Sequence, residues 1–151
     1  KDYLKTLVED DVGRFERNDY CKNATINTVL SVYEKKAKED GVKVNISASA
    51  GYDIPISPKD LVIVIANLFE NAINAVKKLK SDDTIVDVDI REKENRLLVK
   101  IENPCKPNLK FDETDYGIGI SSVIAVTNSY EGMFDFTAKN EKFIAKICLN
   151  F

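Results

Sequence analysis

Hydrophobic residues recur at intervals of three and four in four segments of the chain, and this spacing predicts four helices. A short leading helix covers residues 1–15, where Gly13 breaks the pattern. A second helix starts at Asn23 or Thr25, because either side chain can cap a helix, and it ends at Gly41. This second helix has one apolar face, so we expect it to pack against another element.

The third predicted helix has the clearest start signals in the chain. Ser57 is a favoured capping residue, Pro58 is favoured at the first helical position, and Asp60 places negative charge in the first turn. These signals begin a long helix over residues 57–79. A turn with two glycines at residues 117–120 leads into the fourth helix, which ends near Gly132.

Between the helices, apolar and polar residues alternate, which is the period of a half-buried strand. Residues 42–47 form one such strand. Residues 85–90 and 97–101 form two more, and the polar residues between them indicate an antiparallel hairpin. A last hairpin covers residues 133–151 and turns at residues 139–141. The strands therefore come mostly as antiparallel pairs.

This order of elements predicts an α+β fold, a two-layer sandwich in which helices cover one face of a mixed, mostly antiparallel sheet. A chain of 151 residues is long enough to bury the core of one domain. We divide it into a leading helix and linker at residues 1–19 and a main domain at residues 20–151.

Composition and charge exclude several kinds of function. Apolar residues make up 44% and charged residues 31%, the balance of a globular protein. The net charge of -3 is spread along the chain without a basic cluster, so we expect no nucleic-acid partner. No apolar run approaches the roughly 18 residues of a membrane span, so we expect no membrane contact here. Three separated cysteines and no histidine give no zinc site and fit a reducing cytoplasm.

Four polar residues of the third helix share one face. Asn67, Asn71, Asn74 and Lys78 are spaced four, three and four apart, beside a separate apolar stripe. Asparagine is a mediocre helix former, so three on one face favour a role in binding. The alternative is that they form the solvated surface of an amphipathic helix.

The turn Gly117-Ile118-Gly119-Ile120-Ser121 lies at the start of the fourth helix, where unpaired backbone amides and the positive end of the helix dipole can receive phosphate oxygens. Glycine lets a ligand approach the backbone closely. We expect that a side chain at Gly119 would obstruct the phosphate. It would also disfavour the positive φ angle that glycine allows at this position. The alternative is a tight turn that leads into a helix and binds nothing.

Residues 67–72, with the sequence NLFENA, and residues 117–120, with the sequence GIGI, together resemble the ATPase family that unites gyrase, heat-shock chaperones, histidine kinases and mismatch-repair ATPases. Within that family the chain is similar to the catalytic domains of sensor histidine kinases of the peptide-pheromone quorum-sensing type. The resemblance covers residues 20–151 and implies the Bergerat-type α/β sandwich, with ATP between the helices and a lid loop.

The resemblance also implies roles for individual residues. Asn71 matches the family's Mg²⁺ ligand, and Asn67, Asn74 and Lys78 lie on the same helix face. Lys77 is a second candidate for the charge that Lys78 would add. The backbone amides of residues 117–122 would hold phosphate.

Two departures from the family pattern limit the expected chemistry. Asn67 replaces the glutamate that activates water in the gyrase-like hydrolases, so we expect negligible ATP turnover by this chain alone. Asn103 takes the place of the aspartate that contacts the adenine amino group.

The implied activity is transfer of the ATP γ-phosphate to a histidine, which this chain lacks. The chain begins at Lys1 without an initiator methionine or a signal peptide, so we expect it to be part of a longer protein. An upstream dimerisation domain would supply the histidine, and the leading helix is a candidate for its end. A response regulator would be the partner of the whole protein, which we expect to be a membrane protein with this domain on the cytoplasmic side.

Two alternative functions remain open at this point. The first is a degenerate, nucleotide-free module that binds a partner protein. The second is a serine kinase of the anti-sigma type, which shares both motifs.

Overall fold

A computed structural model describes residues 19–79, 84–112 and 115–151. In these ranges the chain forms three helices, α1 (Ala24–Glu39), α2 (Pro58–Leu79) and α3 (Ile118–Ser129). It also forms five strands, β1 (Lys43–Ser49), β2 (Ile85–Lys93), β3 (Arg96–Pro104), β4 (Met133–Lys139) and β5 (Lys142–Asn150). The predicted leading helix lies outside the described residues.

The helices start where the sequence predicts. Of the two candidate caps for α1, Asn23 has this role, because its side-chain oxygen accepts the Ile26 N–H at 3.0 Å. At the start of α2 the Ser57 hydroxyl accepts the Asp60 N–H at 3.2 Å. These bonds satisfy backbone donors that the first turn of a helix leaves unpaired.

The Tyr130 side chain joins the end of α3 to the start of α2. Its hydroxyl donates to the Asp60 carboxylate at 2.7 Å and accepts the Ser57 N–H at 3.1 Å. The first turn of α2 is therefore fixed both by its own cap and by a residue about 70 positions away.

The five strands form one mixed sheet in the order β1-β2-β3-β5-β4. Strand β1 is parallel to β2, and every other neighbouring pair is antiparallel. Both hairpins turn through two residues with positive φ, Glu94 and Asn95 in the first and Asn140 and Glu141 in the second. This backbone matches the right-handed twist of the strands that it joins.

The core lies between the three helices and one face of the sheet. The buried strand residues alternate along β2, β3 and β5 and comprise Val86, Val88, Ile90, Leu97, Val99, Ile101, Ala145, Ile147 and Leu149. Against them pack the apolar faces of the helices, where the rings of Tyr33 in α1 and Phe69 in α2 stack at 5.8 Å. The predicted two-layer α+β fold is confirmed.

Helix α3 ends near Gly132, as predicted, but the glycine is required there for a different physical reason. Glu131, and not a glycine, adopts the left-handed conformation after the helix, with a φ of 51°. Gly132 is required for a steric reason, because a Cβ atom there would lie 1.9 Å from the carbonyl oxygen of Cys148. The backbones of the helix exit and of β5 thus approach too closely for any side chain at residue 132.

We expect Gly132→Ala to lower the free energy of unfolding by about 3 kcal/mol or more, because the obstacle is a backbone carbonyl in the sheet. The measurement is urea denaturation followed by circular dichroism. Gly117→Ala is the matched control, since a Cβ atom at Gly117 would meet nothing within 4 Å. It should cost at most about 1 kcal/mol, the usual difference between residues at a helix cap. Equal losses in the two variants would contradict the steric explanation.

Candidate functional site

A cavity of about 400 Å³ lies between α2, the start of α3, strands β3 and β5, and the connection from β3 to α3. The sequence-predicted site residues that line it come from three separate parts of the chain and comprise Asn71, Asn74, Lys78, Asn103, Gly117, Gly119 and Ile120. The fold therefore brings the asparagine face, the glycine turn and the end of β3 to one space.

The other three predicted residues do not line the cavity. Asn67 lies beside it, and its amide nitrogen donates to the Ile63 carbonyl at 2.7 Å. The Ile118 side chain is 82% exposed, and Ser121 is also exposed. The Ser121 N–H donates to the Gly117 carbonyl within the helix at 2.9 Å, so it is not available to a ligand.

The start of α3 nevertheless offers free donors. Gly117 is the N-cap and has no side chain that could satisfy the first turn. The amides of Ile118, Gly119 and Ile120 make no hydrogen bond with any residue that the structure describes. Two of these three residues line the cavity, so the positive end of the helix dipole lies at its wall.

The asparagine face of α2 has two different kinds of residue. Asn71 and Asn74 are exposed, and within the described ranges their side chains have no hydrogen-bond partner. Asn67 differs, because its nitrogen is held by the backbone one turn earlier. The two asparagines that line the cavity are therefore the ones whose amides are available to a ligand.

The two lysines at the end of α2 are distinguished by their surroundings. The Lys77 ammonium lies 3.4 Å from an Asp40 carboxylate oxygen, on the side of the helix toward α1. Lys78 lines the cavity, and no salt bridge ties it to the described part of the chain. Lys78 is thus the lysine whose charge acts on the cavity.

Asn103 lies at the end of β3 and is only 2% exposed. Its amide nitrogen donates to the Pro104 carbonyl at 2.8 Å. The side-chain oxygen accepts no hydrogen bond from the described residues, and it is not fully enclosed by them. A nearly buried acceptor without a protein partner is costly unless water or a ligand satisfies it.

The two glycines of the turn serve different purposes. Gly119 does not have the positive φ that we expected, because it lies within the first turn of α3. A Cβ atom there would lie 2.9 Å from the Asn67 side-chain oxygen, so the glycine allows α3 to approach α2. Gly117 has a φ of -85° and open space around it, so neither conformation nor packing within the chain requires glycine at this position.

Several lining residues were not predicted from the sequence. Phe111 and Leu109 come from the connection between β3 and α3, and Phe143 comes from β5. The ring of Phe111 lies edge-on to that of Phe143, with 4.8 Å between the ring centroids. It also packs against the ring of Tyr116, with 5.6 Å between the centroids. The alternation of β5 was a signal for Phe143, whereas the connection has no periodic pattern that would reveal its residues.

Cys105 and Asp115 also line the cavity and were not predicted. Burial raises the pKa of the Cys105 thiol, and the nearby Glu141 carboxylate raises it further. The thiol is therefore protonated at neutral pH and is a weak nucleophile. Asp115 brings a carboxylate to the same cavity wall as the glycine turn.

The described ranges lack two further kinds of feature. They contain no cluster of three or more histidine, cysteine, aspartate or glutamate residues that could hold a metal ion. They also contain no helix with the length and apolar character that crossing a membrane requires. Among the described lining residues, the oxygen ligands that a cation could use are amide oxygens and the Asp115 carboxylate.

Residues 56–150 match the sequence profile of the GHKL domain family. A relative from Bacillus subtilis (strain 168), a probable C4-dicarboxylate sensor kinase, is 24% identical over 104 residues, which are 67% of this chain. The match spans only 19% of that relative's length.

Solved structures show the same fold. The catalytic domain of the histidine kinase ThkA superposes with a TM-score of 0.66 at 14% identity, covering 83% of this chain and 89% of that one. The Acinetobacter baumannii histidine kinase AdeS superposes with a TM-score of 0.67 at 17% identity, covering 99% of this chain and 75% of that one.

We expect Gly119→Ala to destabilise the fold by about 1 kcal/mol, because the new methyl group would displace the Asn67 amide. In an Asn67→Ala background the same change should cost less or even stabilise, since alanine is a better helix former than glycine. Thermal unfolding of the parent, both single variants and the double variant gives the coupling free energy. A coupling close to zero would show that Gly119 and Asn67 do not constrain each other.

Proposed function

The chain belongs to the GHKL domain family, and from that premise we propose that it binds Mg-ATP and presents the γ-phosphate to a histidine on a separate dimerisation domain of a sensor histidine kinase. The observation that carries this proposal is that one cavity is lined both by the start of α3, with its free amides, and by Asn71 and Asn74 of α2, whose side chains have no partner among the described residues. A nucleotide needs donors for phosphate, a contact for the base and ligands for the cation, and the cavity contains a candidate for each.

The phosphate end of the proposed site is the start of α3. Its free amides and the dipole of the helix favour an anion, and Lys78 adds a positive charge. Gly117 supports this assignment, because the chain itself has no need of a glycine there. A phosphate that approaches the backbone closely would explain why this position has no side chain.

The residues present also fit the implied cation. Mg²⁺ is a hard cation that prefers oxygen ligands and usually binds proteins through one or two side chains together with substrate phosphates. Asn71 would hold it through its amide oxygen, which no described residue occupies. When bound, Mg²⁺ neutralises phosphate charge and helps to orient the group that is transferred.

At the other end of the cavity we assign the adenine contact to Asn103. Its side-chain nitrogen is already used by the Pro104 carbonyl, so the unpaired oxygen is the acceptor that remains for the adenine amino group. The apolar residues around it, including Ile101 and Phe143, would contact the faces and edges of the base.

The chain would contribute to phosphoryl transfer by positioning and charge neutralisation. Asn67 cannot act as the base that activates water, because it is an amide whose nitrogen donates to the Ile63 carbonyl. The chain contains no histidine to accept the phosphate. We therefore propose that the acceptor belongs to an upstream dimerisation domain and that a response regulator receives the phosphate next.

We propose that the domain works in the cytoplasm, where ATP is abundant, as part of a larger protein with a receptor region in the membrane. The specific subtype, a peptide-pheromone quorum-sensing kinase, rests on the motif resemblance alone.

A nucleotide-free interaction module is the second candidate function. The described residues that line the cavity carry one positive and one negative charge, Lys78 and Asp115, which is little attraction for a triphosphate. A direct binding measurement separates the two functions. A serine kinase of the anti-sigma type would also bind ATP, and it differs in the residue that accepts the phosphate.

We expect the chain to bind ATP with Mg²⁺ and Asn71→Ala to weaken that binding at least tenfold, or about 1.4 kcal/mol, because an oxygen ligand of the cation is lost. Isothermal titration calorimetry is the measurement. Asn45→Ala is the matched control, since Asn45 is an exposed asparagine on β1 that bonds to Asp87 away from the cavity. If neither variant changes the affinity, Asn71 is not a ligand, and if the parent binds no nucleotide, the interaction module is the better assignment.

We expect Asn103→Ala to weaken ATP binding by about 1 kcal/mol and to reduce the preference for ATP over GTP, because a hydrogen bond to the adenine amino group is lost. Asn103→Asp should strengthen ATP binding, since a charged acceptor forms a stronger bond. Competition titrations with both nucleotides give the affinities, and circular dichroism verifies that each variant is folded. An unchanged affinity and nucleotide ratio for Asn103→Ala would mean that the residue only ends the strand.

A further inference from the structure

The charge of the cavity wall is unusual for a site that would receive a triphosphate. Lys78 and Asp115 are the charged residues among the described residues that line it, so their formal charges cancel. The start of α3 adds only a partial positive charge. A nucleotide without its cation would therefore meet a carboxylate with little to offset the repulsion.

Asp115 is close in sequence to the proposed phosphate site. Asp115 is two residues before Gly117, the N-cap of α3, and both line the cavity. Gly119 lies against Asn67, and Asn71 is one turn further along α2, about 6 Å away along the helix axis. Asp115, Asn71 and two of the three residues with free amides, Gly119 and Ile120, thus line one cavity.

The carboxylate of Asp115 is also held in place. One of its oxygens, Oδ2, accepts the backbone N–H of Asp112 at 2.9 Å, and the Asp115 N–H donates to the Asp112 carbonyl at 2.9 Å. This reciprocal pair of bonds ties Asp115 to Asp112. The second oxygen, Oδ1, accepts no hydrogen bond from the described residues.

We propose that Asp115 is a second protein ligand, directly or through one water, of the divalent cation that enters with the nucleotide. This inference rests on the proposed function. A carboxylate repels a bare triphosphate but attracts its Mg²⁺ complex, so one residue makes the site selective for the complex. Asn71 supplies a neutral ligand from the helix, and Asp115 supplies the charged one from the connection to α3.

The test compares the parent with Asp115→Asn, which keeps an oxygen that can accept the Asp112 N–H and removes the charge. ATP affinity is measured by calorimetry in excess Mg²⁺ and again in EDTA. Asp135→Asn is the matched control, because Asp135 is an exposed aspartate on β4 that does not line the cavity. Thermal unfolding of each variant verifies that the fold is intact.

We expect Asp115→Asn to weaken binding of Mg-ATP about tenfold and to leave binding of metal-free ATP unchanged or tighter. The ratio of the two affinities should thus fall about tenfold, while Asp135→Asn should keep the ratio of the parent. If Asp115→Asn strengthens both affinities equally, the carboxylate only repels the nucleotide and the inference is wrong. An unchanged ratio would also overturn it while leaving the proposed function intact, whereas a parent that binds no ATP in either condition would overturn both.

Discussion

The start of α3 lies so close to α2 that a Cβ atom on Gly119 would be 2.9 Å from the Asn67 side-chain oxygen. The Asn67 side-chain oxygen occupies the space that a Cβ atom would need, and the Asn67 nitrogen is fixed by the Ile63 carbonyl. This close approach turns the free amides of α3 toward the asparagine face of α2. A side chain at residue 119 would displace the Asn67 amide, which lies one turn from the candidate cation ligand Asn71. The wall of the cavity therefore depends on one close approach, between Gly119 and the Asn67 side chain.

The rest of the fold fixes α3 at its opposite end, where the chain leaves the helix. Tyr130 ties the exit of α3 to the first turn of α2, and Gly132 lets the chain enter β4 directly beside β5. The sheet then supplies the opposite wall, where Asn103 and Phe143 are partners in the pairing of β3 with β5. The site is thus a junction of two layers, and each layer contributes a different part of the ligand contact.

Local patterns were sufficient to predict most elements. Ser57 and Pro58 mark the start of α2, and alternation marks the hairpins, because these signals act within a few residues. The asparagine face was predictable for the same reason, since helical spacing places its members together. The role of Gly119 was not, because it arises from an approach between helices about 50 residues apart. Likewise, only the fold shows that Lys77 forms an ion pair with Asp40. No periodic pattern in the sequence predicted that Phe111 and Asp115 line the cavity.

The pairing of β3 with β5 determines when, during folding, the wall of the cavity can form. Each hairpin contains only local contacts, so each can form early. Asn103 and Phe143 belong to different hairpins, and the wall that they share exists only after the hairpins have joined. Neither hairpin alone can therefore form this wall of the site, and ligand binding there requires the completed sheet. A ligand held there would in turn favour the folded chain over every partly folded form.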